Sequence, residues 1–211
     1  MQILVIAATE MEITPFIEAG LPVDILTTGV GVPATIYNLL KKIQEKQYDL
    51  VIQAGIAGVF SPVAYELASV VMVRKDTFAD LGIEEKKSFK TLFDLGFALP
   101  DEFPYKNGWL NNDFEFFEKL PLQKVTGITV NKVSDEAFQA ETFLYKFSPD
   151  IESMEGAALH FVCLQENIPF LQLRSISNVV GERDKAKWKI RDAVVNLNAV
   201  LSTMVNSLLN E

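Results

Sequence analysis

Cysteine and histidine are nearly absent from this chain of 211 residues, which contains one of each. A lone cysteine cannot close an internal disulfide, and a lone histidine cannot build a metal site from paired imidazoles. The two counts therefore exclude a disulfide-stapled scaffold and the zinc motifs that need paired Cys or His ligands. We interpret Cys163 as a core thiol and His160 as a structural residue of a helix.

Basic residues are also in short supply, since 19 of them stand against 28 acidic ones and leave a formal net charge of -9. A field of that sign repels the phosphate backbone of nucleic acids and the anionic surface of membranes. The composition therefore argues against a nucleic-acid partner and against a membrane partner.

No uncharged run is apolar enough to cross a bilayer, because the longest, residues 193–210, carries four asparagines. Its apolar residues recur at steps of three and four, which predicts one stripe of an amphipathic helix docked on the core, formed by Val194, Leu197, Leu201, Met204 and Leu208. The apolar N-terminal stretch is short and runs into Glu10 and Glu12 without a basic flank. We therefore expect no export signal and a cytoplasmic protein.

Short apolar runs alternate with helical patterns along the whole chain. The pattern predicts strands at residues 3–8, 23–27, 50–54, 67–73, 123–130, 150–154 and 170–177. It predicts helices after Thr9 and at residues 33–46, 135–147, 155–166 and 184–210. No repeat, linker or break in composition divides the chain, so we expect one α/β domain with a mostly parallel sheet covered on both faces.

The exits of the predicted strands are the places to look for chemistry, because ligands of such sheets collect at the carboxyl ends of the strands. Two of these exits carry glycine pairs, at residues 29–31 and 55–58. Neither pair matches a dinucleotide-binding fingerprint or a phosphate-binding P-loop. Two interpretations stay open for both pairs: tight turns with positive φ, or backbone that approaches a ligand closely.

Polar side chains at the strand exits are further candidates. Glu10 and Glu12 point about 200° apart on a helix, so only one of them can face a site beyond the sheet. Glu155 follows a strand and precedes small residues, which fits a carboxylate at the strand end or merely a helix acid stabilised by the dipole. Asn178 fits either a ligand contact or a turn.

In combination these segments resemble the purine nucleoside phosphorylase and nucleosidase superfamily. The resemblance rests on ESMEGAA at residues 152–158 and RSISN at residues 174–178. The 5′-methylthioadenosine/S-adenosylhomocysteine nucleosidase branch is similar at IAATEME (6–12), at both glycine-containing segments and at SDEAF (134–138). The match spans nearly the whole chain in order. It implies one domain over residues 1–211 with a three-layer α/β/α fold around a central, mostly parallel but mixed, twisted sheet.

Within the superfamily, three features resemble the futalosine hydrolases. They are FADLG at residues 78–82, the extra Ser153 in the ESME run, and Asn178 where the adenine-specific nucleosidases have an aspartate. This resemblance implies hydrolysis of the N-ribosyl bond of futalosine with release of hypoxanthine, and no cofactor or metal. A nucleosidase of methylthioadenosine or S-adenosylhomocysteine, a purine nucleoside phosphorylase and a catalytically silent nucleoside-binding protein remain as alternatives.

The resemblance also implies roles for individual residues. Glu12 would be the general base that activates water below the ribose, and Met154 would line the sugar. Glu155 would accept hydrogen bonds from the ribose hydroxyls, and Phe138 would stack on the base.

Asn178 and the segment of Ile56, Ala57 and Gly58 bear on the alternatives. An amide donates to the C6 carbonyl of hypoxanthine and accepts from a protonated N7, whereas a carboxylate would repel that carbonyl. Ile56 and Ala57 stand where phosphate recognition would need hydroxyl or arginine side chains, and no arginine precedes Arg74. These residues favour a purine nucleoside substrate bordered by Ile56, Ala57 and Gly58, with water as the nucleophile.

The family resemblance further implies a homodimer or a higher homo-oligomer in which a loop of the neighbouring copy closes the site. The apolar stretch at residues 89–97 would suit that contact. Asp80 would contact the tail of the substrate or only shape a loop, and Arg174 and Lys132 are candidates for binding the carboxylate of that tail.

Overall fold

The structure is a computed structural model, and it describes residues 1–86, 88–114, 120–134 and 137–210. Its strands are β1 (Ile3–Ala7), β2 (Asp24–Thr27), β3 (Leu50–Val59), β4 (Val70–Asp76), β5 (Gly82–Glu85), β6 (Ser88–Thr91), β7 (Leu110–Asn111), β8 (Lys124–Thr129), β9 (Ile151–Ser153) and β10 (Phe170–Val179). Its helices are α1 (Glu10–Glu18), α2 (Val32–Glu45), α3 (Ala137–Phe147), α4 (Gly156–Gln165) and α5 (Ile190–Leu209), with a short 3-10 helix at Lys185–Lys187.

Burial on both faces accounts for the apolar strands. All five residues of β1 are buried, as are the first six of β3 and the first eight of β10. A strand covered by helices on both sides has no solvent face, and for that reason these runs do not alternate between apolar and polar residues.

Eight of the described strands form one mixed sheet that curls back on itself. β1 pairs in parallel with β2 and β3, and β3 pairs in parallel with β10. From β10 the pairing continues antiparallel to β4, then in parallel through β8 to β9, and β9 returns antiparallel to β3. The carboxyl ends of β1, β3 and β10 therefore point to the same edge of the sheet.

Helices cover this sheet on two sides, which confirms the predicted three-layer α/β/α fold. On one side Phe16 of α1 and Leu197 of α5 pack with Val5 in one hydrophobic core. On the other side Leu159 of α4 packs with Leu4 in a second core, to which α2 also contributes. Because successive residues of a strand point to opposite faces, Leu4 and Val5 belong to different cores.

The C-terminal helix carries the predicted apolar stripe. The members buried in the first core are Leu197, Leu201, Met204 and Leu208, while Val194 is half-buried. Among the residues that the structure describes, no helix has both the length and the apolar character needed to cross a membrane.

Two predicted strand ends are wrong, and both concern the site. Residues 55–58 do not form a loop, since β3 continues to Val59, and β10 continues to Val179 rather than ending at Ser177. The two strands pair from Val51 and Phe170 up to Val59 and Val179, so their shared ladder of hydrogen bonds carries both past the predicted ends. The turn interpretation holds for residues 29–31, where Gly29 and Gly31 have φ of 82° and 89°.

Candidate active site

A cavity of about 250 Å³ opens at the edge where β1, β3 and β10 end. Its lining includes every site residue predicted from the sequence apart from Phe138, namely Glu12, Ile56, Ala57, Gly58, Met154, Glu155 and Asn178. The carboxyl ends of parallel strands lie at one edge of a sheet, and this topology brings together residues that are far apart in the chain.

Glu12 lies in the first turn of α1 and is only 6% exposed, whereas Glu10 is exposed and does not line the cavity. Its Oε2 atom accepts hydrogen bonds from the Thr9 backbone N–H at 3.0 Å and from the Thr9 hydroxyl at 3.1 Å. Its Oε1 atom accepts from the backbone N–H of Ile56 at 3.1 Å. The prediction that one of the two glutamates faces the site is confirmed, and three donors hold that carboxylate in place.

Glu155 immediately precedes α4 and lies against the turn that contains Gly31. Its Oε1 atom accepts a hydrogen bond from the Gly31 N–H at 3.0 Å, and its Oε2 atom lies 3.6 Å from Nη1 of Arg174. Burial raises the pKa of the Glu155 carboxyl, and the Arg174 guanidinium and the Gly31 N–H oppose that shift. The nearby Glu12 adds to the rise, so the two carboxyl groups interact across the site.

Arg174 lies behind the cavity wall rather than in it. The side chain is 1% exposed, and Nη2 donates to Oε1 of Gln53 at 2.8 Å. A Cβ atom on Gly55 would overlap Nη1 of Arg174 and lie 3.0 Å from Oε1 of Glu12. Gly55 is therefore a site of close approach to protein side chains, which is neither the turn nor the ligand approach proposed for the glycine pairs, and Arg174 is turned toward protein groups instead of a substrate tail.

Asn178 stands near the end of β10 with its amide already oriented. Its Oδ1 atom accepts from the Ser177 hydroxyl at 2.7 Å, and its Nδ2 atom donates to the Val179 carbonyl at 3.0 Å. A primary amide has two donor hydrogens and two acceptor lone pairs, so one of each remains for a ligand.

Glu152 is a site residue that the sequence reasoning missed. It lines the cavity, is 4% exposed, and accepts hydrogen bonds from the Ser134 N–H at 3.0 Å and hydroxyl at 2.6 Å. Burial raises the pKa of its carboxyl. Gly58 pairs with Glu152 on one side and with Asn178 on the other, so both side chains leave the same face of the sheet beside a position without a side chain. The ESME run contains Glu152, but only the strand pairing shows where it points.

Phe138 lies outside this cavity. It is 48% exposed on α3 and lines a second cavity of about 370 Å³ together with Phe89, Lys132 and Asp80. Asp80 is held there by the backbone N–H of Asn131 at 2.6 Å. The base-stacking role of Phe138 therefore stays a prediction, and residues 135 and 136 of the same segment lie outside the described part of the chain.

The walls also contain apolar residues to which the sequence assigned no role, among them Met11, Val30 and Trp188. Met11 and Val30 line the cavity and are 62% and 56% exposed at its mouth. Trp188 lines it as well, with its indole N–H donating to the Glu182 carbonyl at 2.9 Å. No local pattern marks Trp188, because its position depends on how the segment after β10 folds back.

Cys163 and His160 are fully buried in α4, and neither lines the cavity. Burial raises the pKa of the Cys163 thiol, which confirms an inert core position. Across the described ranges, no group of three His, Cys, Asp or Glu side chains is placed to hold a metal ion. Chemistry without a cofactor stays a prediction.

Comparison with known proteins places this fold and this cavity in a family. The sequence profile described as the phosphorylase superfamily matches residues 6–206. The curated futalosine hydrolase of Streptomyces coelicolor is 33% identical over 182 residues, which cover 82% of this chain and 74% of that protein.

Two solved structures from Helicobacter pylori share the fold. The 5′-methylthioadenosine/S-adenosylhomocysteine nucleosidase has a TM-score of 0.80 at 16% identity and covers 98% of this chain and 99% of its own. The futalosine hydrolase has a TM-score of 0.78 at 16% identity and covers 98% of both chains. The resemblance drawn from the sequence motifs is confirmed, and the chain belongs to the phosphorylase superfamily and, within it, to the family of the futalosine hydrolases.

Proposed function

We propose that the protein hydrolyses the N-ribosyl bond of futalosine and releases hypoxanthine and dehypoxanthine futalosine, a step of menaquinone biosynthesis. The observation that carries this proposal is the meeting of Glu12, Glu155 and Asn178 around one cavity. The reaction needs a base for water, an anion near the sugar and a group that binds a 6-oxopurine. The relative at 33% identity supports futalosine as the substrate.

Glu12 activates the attacking water. Cleavage of an N-ribosyl bond passes through an oxocarbenium-like ribose and a departing purine. As water attacks the anomeric carbon, Glu12 takes its proton as general base. The donors of Thr9 and Ile56 keep both carboxylate oxygens oriented before the reaction, so no reorganisation is needed in the transition state.

Glu155 binds the sugar from the other side. Its carboxylate accepts hydrogen bonds from the ribose hydroxyls and favours the positive charge that develops at the ring. Burial works against the anion, and Arg174 and the Gly31 N–H are the groups that offset it.

Asn178 binds the base by hydrogen bonds. The remaining Nδ2 hydrogen donates to the C6 carbonyl of hypoxanthine. The remaining lone pair of Oδ1 accepts from N7 after N7 has taken a proton from water or through a relay, since the amide has no acidic proton to give. The Val179 carbonyl can only accept a hydrogen bond, so Nδ2 has to face it, which prevents the amide from presenting the opposite pattern.

Hydrolysis fits the cavity better than phosphorolysis. Ile56 and Ala57 line the place where a phosphate dianion would need hydroxyl or guanidinium donors. Arg174 does not line the cavity, and its Nη1 and Nη2 donors are directed at Gln53, the Ile56 carbonyl and Glu155.

We further propose that the active form is a cytoplasmic homodimer or a higher homo-oligomer. Met11 and Val30 are large apolar side chains left exposed at the mouth of the cavity. A neighbouring copy laid over them would remove apolar surface from water and exclude solvent from the reacting bond.

The reaction is tested with the purified protein and three nucleosides. We expect free hypoxanthine from futalosine in phosphate-free buffer and little free base from inosine or methylthioadenosine. Release that requires phosphate would favour a phosphorylase, and preferred release of adenine would favour a methylthioadenosine nucleosidase. A nucleoside that raises the melting temperature without ever yielding free base would favour a binding protein.

Glu12 is tested against its neighbour on the same helix. We expect Glu12→Gln to lower kcat on futalosine by roughly 10²- to 10⁴-fold, the usual contribution of a general base, with little change in KM. Glu10→Gln is the matched control, because Glu10 is exposed and does not line the cavity. Equal activity of the two variants in a steady-state assay would contradict the assignment of Glu12.

A further inference from the structure

A buried polar network lies directly behind Glu155, and the reaction proposed above makes no use of it. Asp76, the last residue of β4, has no exposed surface. Its Oδ1 atom accepts from the Thr77 N–H at 2.8 Å and from the Thr129 hydroxyl at 2.9 Å. Its Oδ2 atom accepts from Nε2 of Gln172 at 3.2 Å.

Gln172 connects Asp76 to His160. The Gln172 side chain also lies close enough to the imidazole to raise its pKa, although no hydrogen bond joins the two, and Nδ1 of His160 lies 2.9 Å from the Leu110 carbonyl oxygen. A carbonyl can only accept, so Nδ1 carries the hydrogen and Nε2 is left as an acceptor. Nε2 of His160 and Oε1 of Gln172 are both buried without a partner.

One proton on Asp76 provides partners for both unpaired atoms. A protonated carboxyl donates through Oδ2 to Oε1 of Gln172 once that amide has turned over by about 180°, an exchange of nearly isosteric groups. Nε2 of Gln172 then donates to Nε2 of His160. Unpaired buried acceptors are costly, so the protonated arrangement is the better paired of the two.

Asp76, and not His160, is the group that gains and loses the proton in this network. Burial raises the pKa of Asp76 to about 7, against the opposing effects of Thr129, Gln172 and Arg174. Burial lowers the pKa of His160 to about 4, so the imidazole is neutral when Asp76 titrates. The charged and titratable groups that face Asp76 are Arg174 on β10 and His160 on α4. The other neighbouring strands present uncharged groups to Asp76, namely Gly127 and Thr129 of β8 and the Leu110 backbone of β7.

This network supports the start of α4, which follows Glu155. A Cβ atom on Gly156 would overlap Oδ2 of Asp76 and Nε2 of Gln172, so the helix rests directly on that hydrogen bond. The Thr129 hydroxyl that donates to Asp76 accepts in turn from the Ala157 N–H at 2.7 Å. A change in the Asp76–Gln172 contact is therefore transmitted to the first turn of α4.

We propose that Asp76 is a positioning residue for Glu155: it takes a proton from solvent, the Gln172 amide turns over, and Gly156 passes the change to the Glu155 carboxylate. The network stands on its own geometry, and its effect on turnover rests on the proposed hydrolysis.

His160 is the only histidine in the chain, so it serves as an unambiguous reporter. In wild-type protein labelled uniformly with ¹⁵N, we expect the Nε2 resonance of His160 to move with a midpoint near pH 7 while Nδ1 stays protonated. The amide resonance of Gly31, which donates to Glu155, should move with the same midpoint. A His160 signal that stays constant from about pH 5.5 to about pH 8.5 would overturn the proposal, and so would a Gly31 amide that does not follow it.

Asp76→Asn mimics the protonated state permanently. We expect it to hold the His160 and Gly31 resonances near their acidic wild-type positions over the whole range. Asp192→Asn, at an exposed position of α5, is the matched control and should keep the wild-type titration. If Asp76→Asn does not fold, the wild-type titration decides the question by itself.

The kinetic readout is the pH profile of kcat/KM on futalosine. We expect the wild-type value to fall by roughly three- to tenfold between about pH 6 and pH 8, because a displaced binding group costs rate, and Asp76→Asn to stay within about twofold. A variant that keeps the wild-type inflection contradicts the role of Asp76. If no form cleaves any nucleoside, the proposed function fails, whereas the resonances still decide the network.

Discussion

At the residue scale, the proposed choice of base depends on a single amide. Asn178 presents one donor and one acceptor to the cavity because the Ser177 hydroxyl and the Val179 carbonyl occupy the rest of its hydrogen-bonding capacity. A 6-oxopurine protonated at N7 satisfies that pair, whereas the C6 amino group of adenine would set a donor against the Nδ2 donor. We therefore propose that this side chain separates two classes of substrate, 6-oxopurine and adenine nucleosides.

We expect Asn178→Asp to lower kcat/KM on futalosine by roughly 10- to 100-fold, because the donor to the C6 carbonyl is lost and a buried acceptor faces it. Cleavage of adenine nucleosides should gain relative to the wild type. Competition assays with futalosine and methylthioadenosine measure both changes. An unchanged preference between the two substrates would contradict the assignment of Asn178 to the base.

The buried carboxyl of Asp76 makes stability depend on pH in a defined direction. Its pKa is about 7 in the folded chain, above the ordinary value of 3.8, so the folded state binds the extra proton between those values. The stability that Asp76 contributes is therefore complete below about pH 4 and is lost as pH rises through 7.

Asp76→Asn removes this pH-dependent loss. The quantity to compare is the free energy of unfolding of the variant minus that of the wild type. We expect this difference to be larger at pH 8 than at pH 5, by on the order of 2–4 kcal/mol. Urea unfolding at the two pH values measures it, with Asp192→Asn as the reference. A difference that is independent of pH, or of the opposite sign, would contradict a raised pKa at Asp76.

At the scale of elements, β3 is the structural centre of the site. It pairs with β10 along nearly its whole length, and its last residues form the cavity wall between Glu152 and Asn178. Gly55 and Gly58 are needed within it for the approach of neighbouring side chains and not for a turn. An uninterrupted strand offers a more rigid support for Glu12 than a loop, because Ile56, whose N–H donates to Glu12, lies within the sheet.

The two glycines of β3 provide a matched pair. We expect Gly55→Ala to destabilise the protein by about 1–3 kcal/mol and to impair turnover, because its methyl group would displace the anchored Arg174 guanidinium and press on Glu12. Gly58→Ala should be milder in stability, since its methyl group would meet Val180 at 3.1 Å and the Asn178 amide at 3.3 Å. Urea midpoints and kcat measure both, and a larger loss of stability in Gly58→Ala would contradict this account.

At the scale of the whole molecule, the sheet closes on itself while the cavity mouth stays apolar and open. The curled sheet buries the cores inside one chain, so the exposed Met11 and Val30 find no cover within the described residues. We expect sedimentation equilibrium to report at least twice the 23.6 kDa of one chain. A monomer that is fully active at assay concentration would contradict the proposal that a second copy completes the site.

Glu12 and Trp188 show how far sequence patterns reach. The local pattern narrowed the candidates to Glu10 and Glu12, because Thr9 and the two acids mark a helix start directly after an apolar strand, and the family resemblance then implied Glu12. Trp188 carries no such mark, since its contact with the cavity arises after the chain has folded back from β10. Phe138 belongs to a recognisable segment, yet the packing of α3 turns it toward a different cavity from Glu12.

The sequence by itself determined the α/β order of elements, the family and most of the residues at the site, because these depend on local periodicity and on motifs that lie within a few residues of each other. Only the tertiary structure decided that β3 continues through Gly55, that Arg174 lies behind the cavity wall, and that Asp76 and Gln172 meet in a buried hydrogen bond. Those facts depend on the pairing of distant strands, and the register of that pairing is set by the whole core at once and not by any one segment.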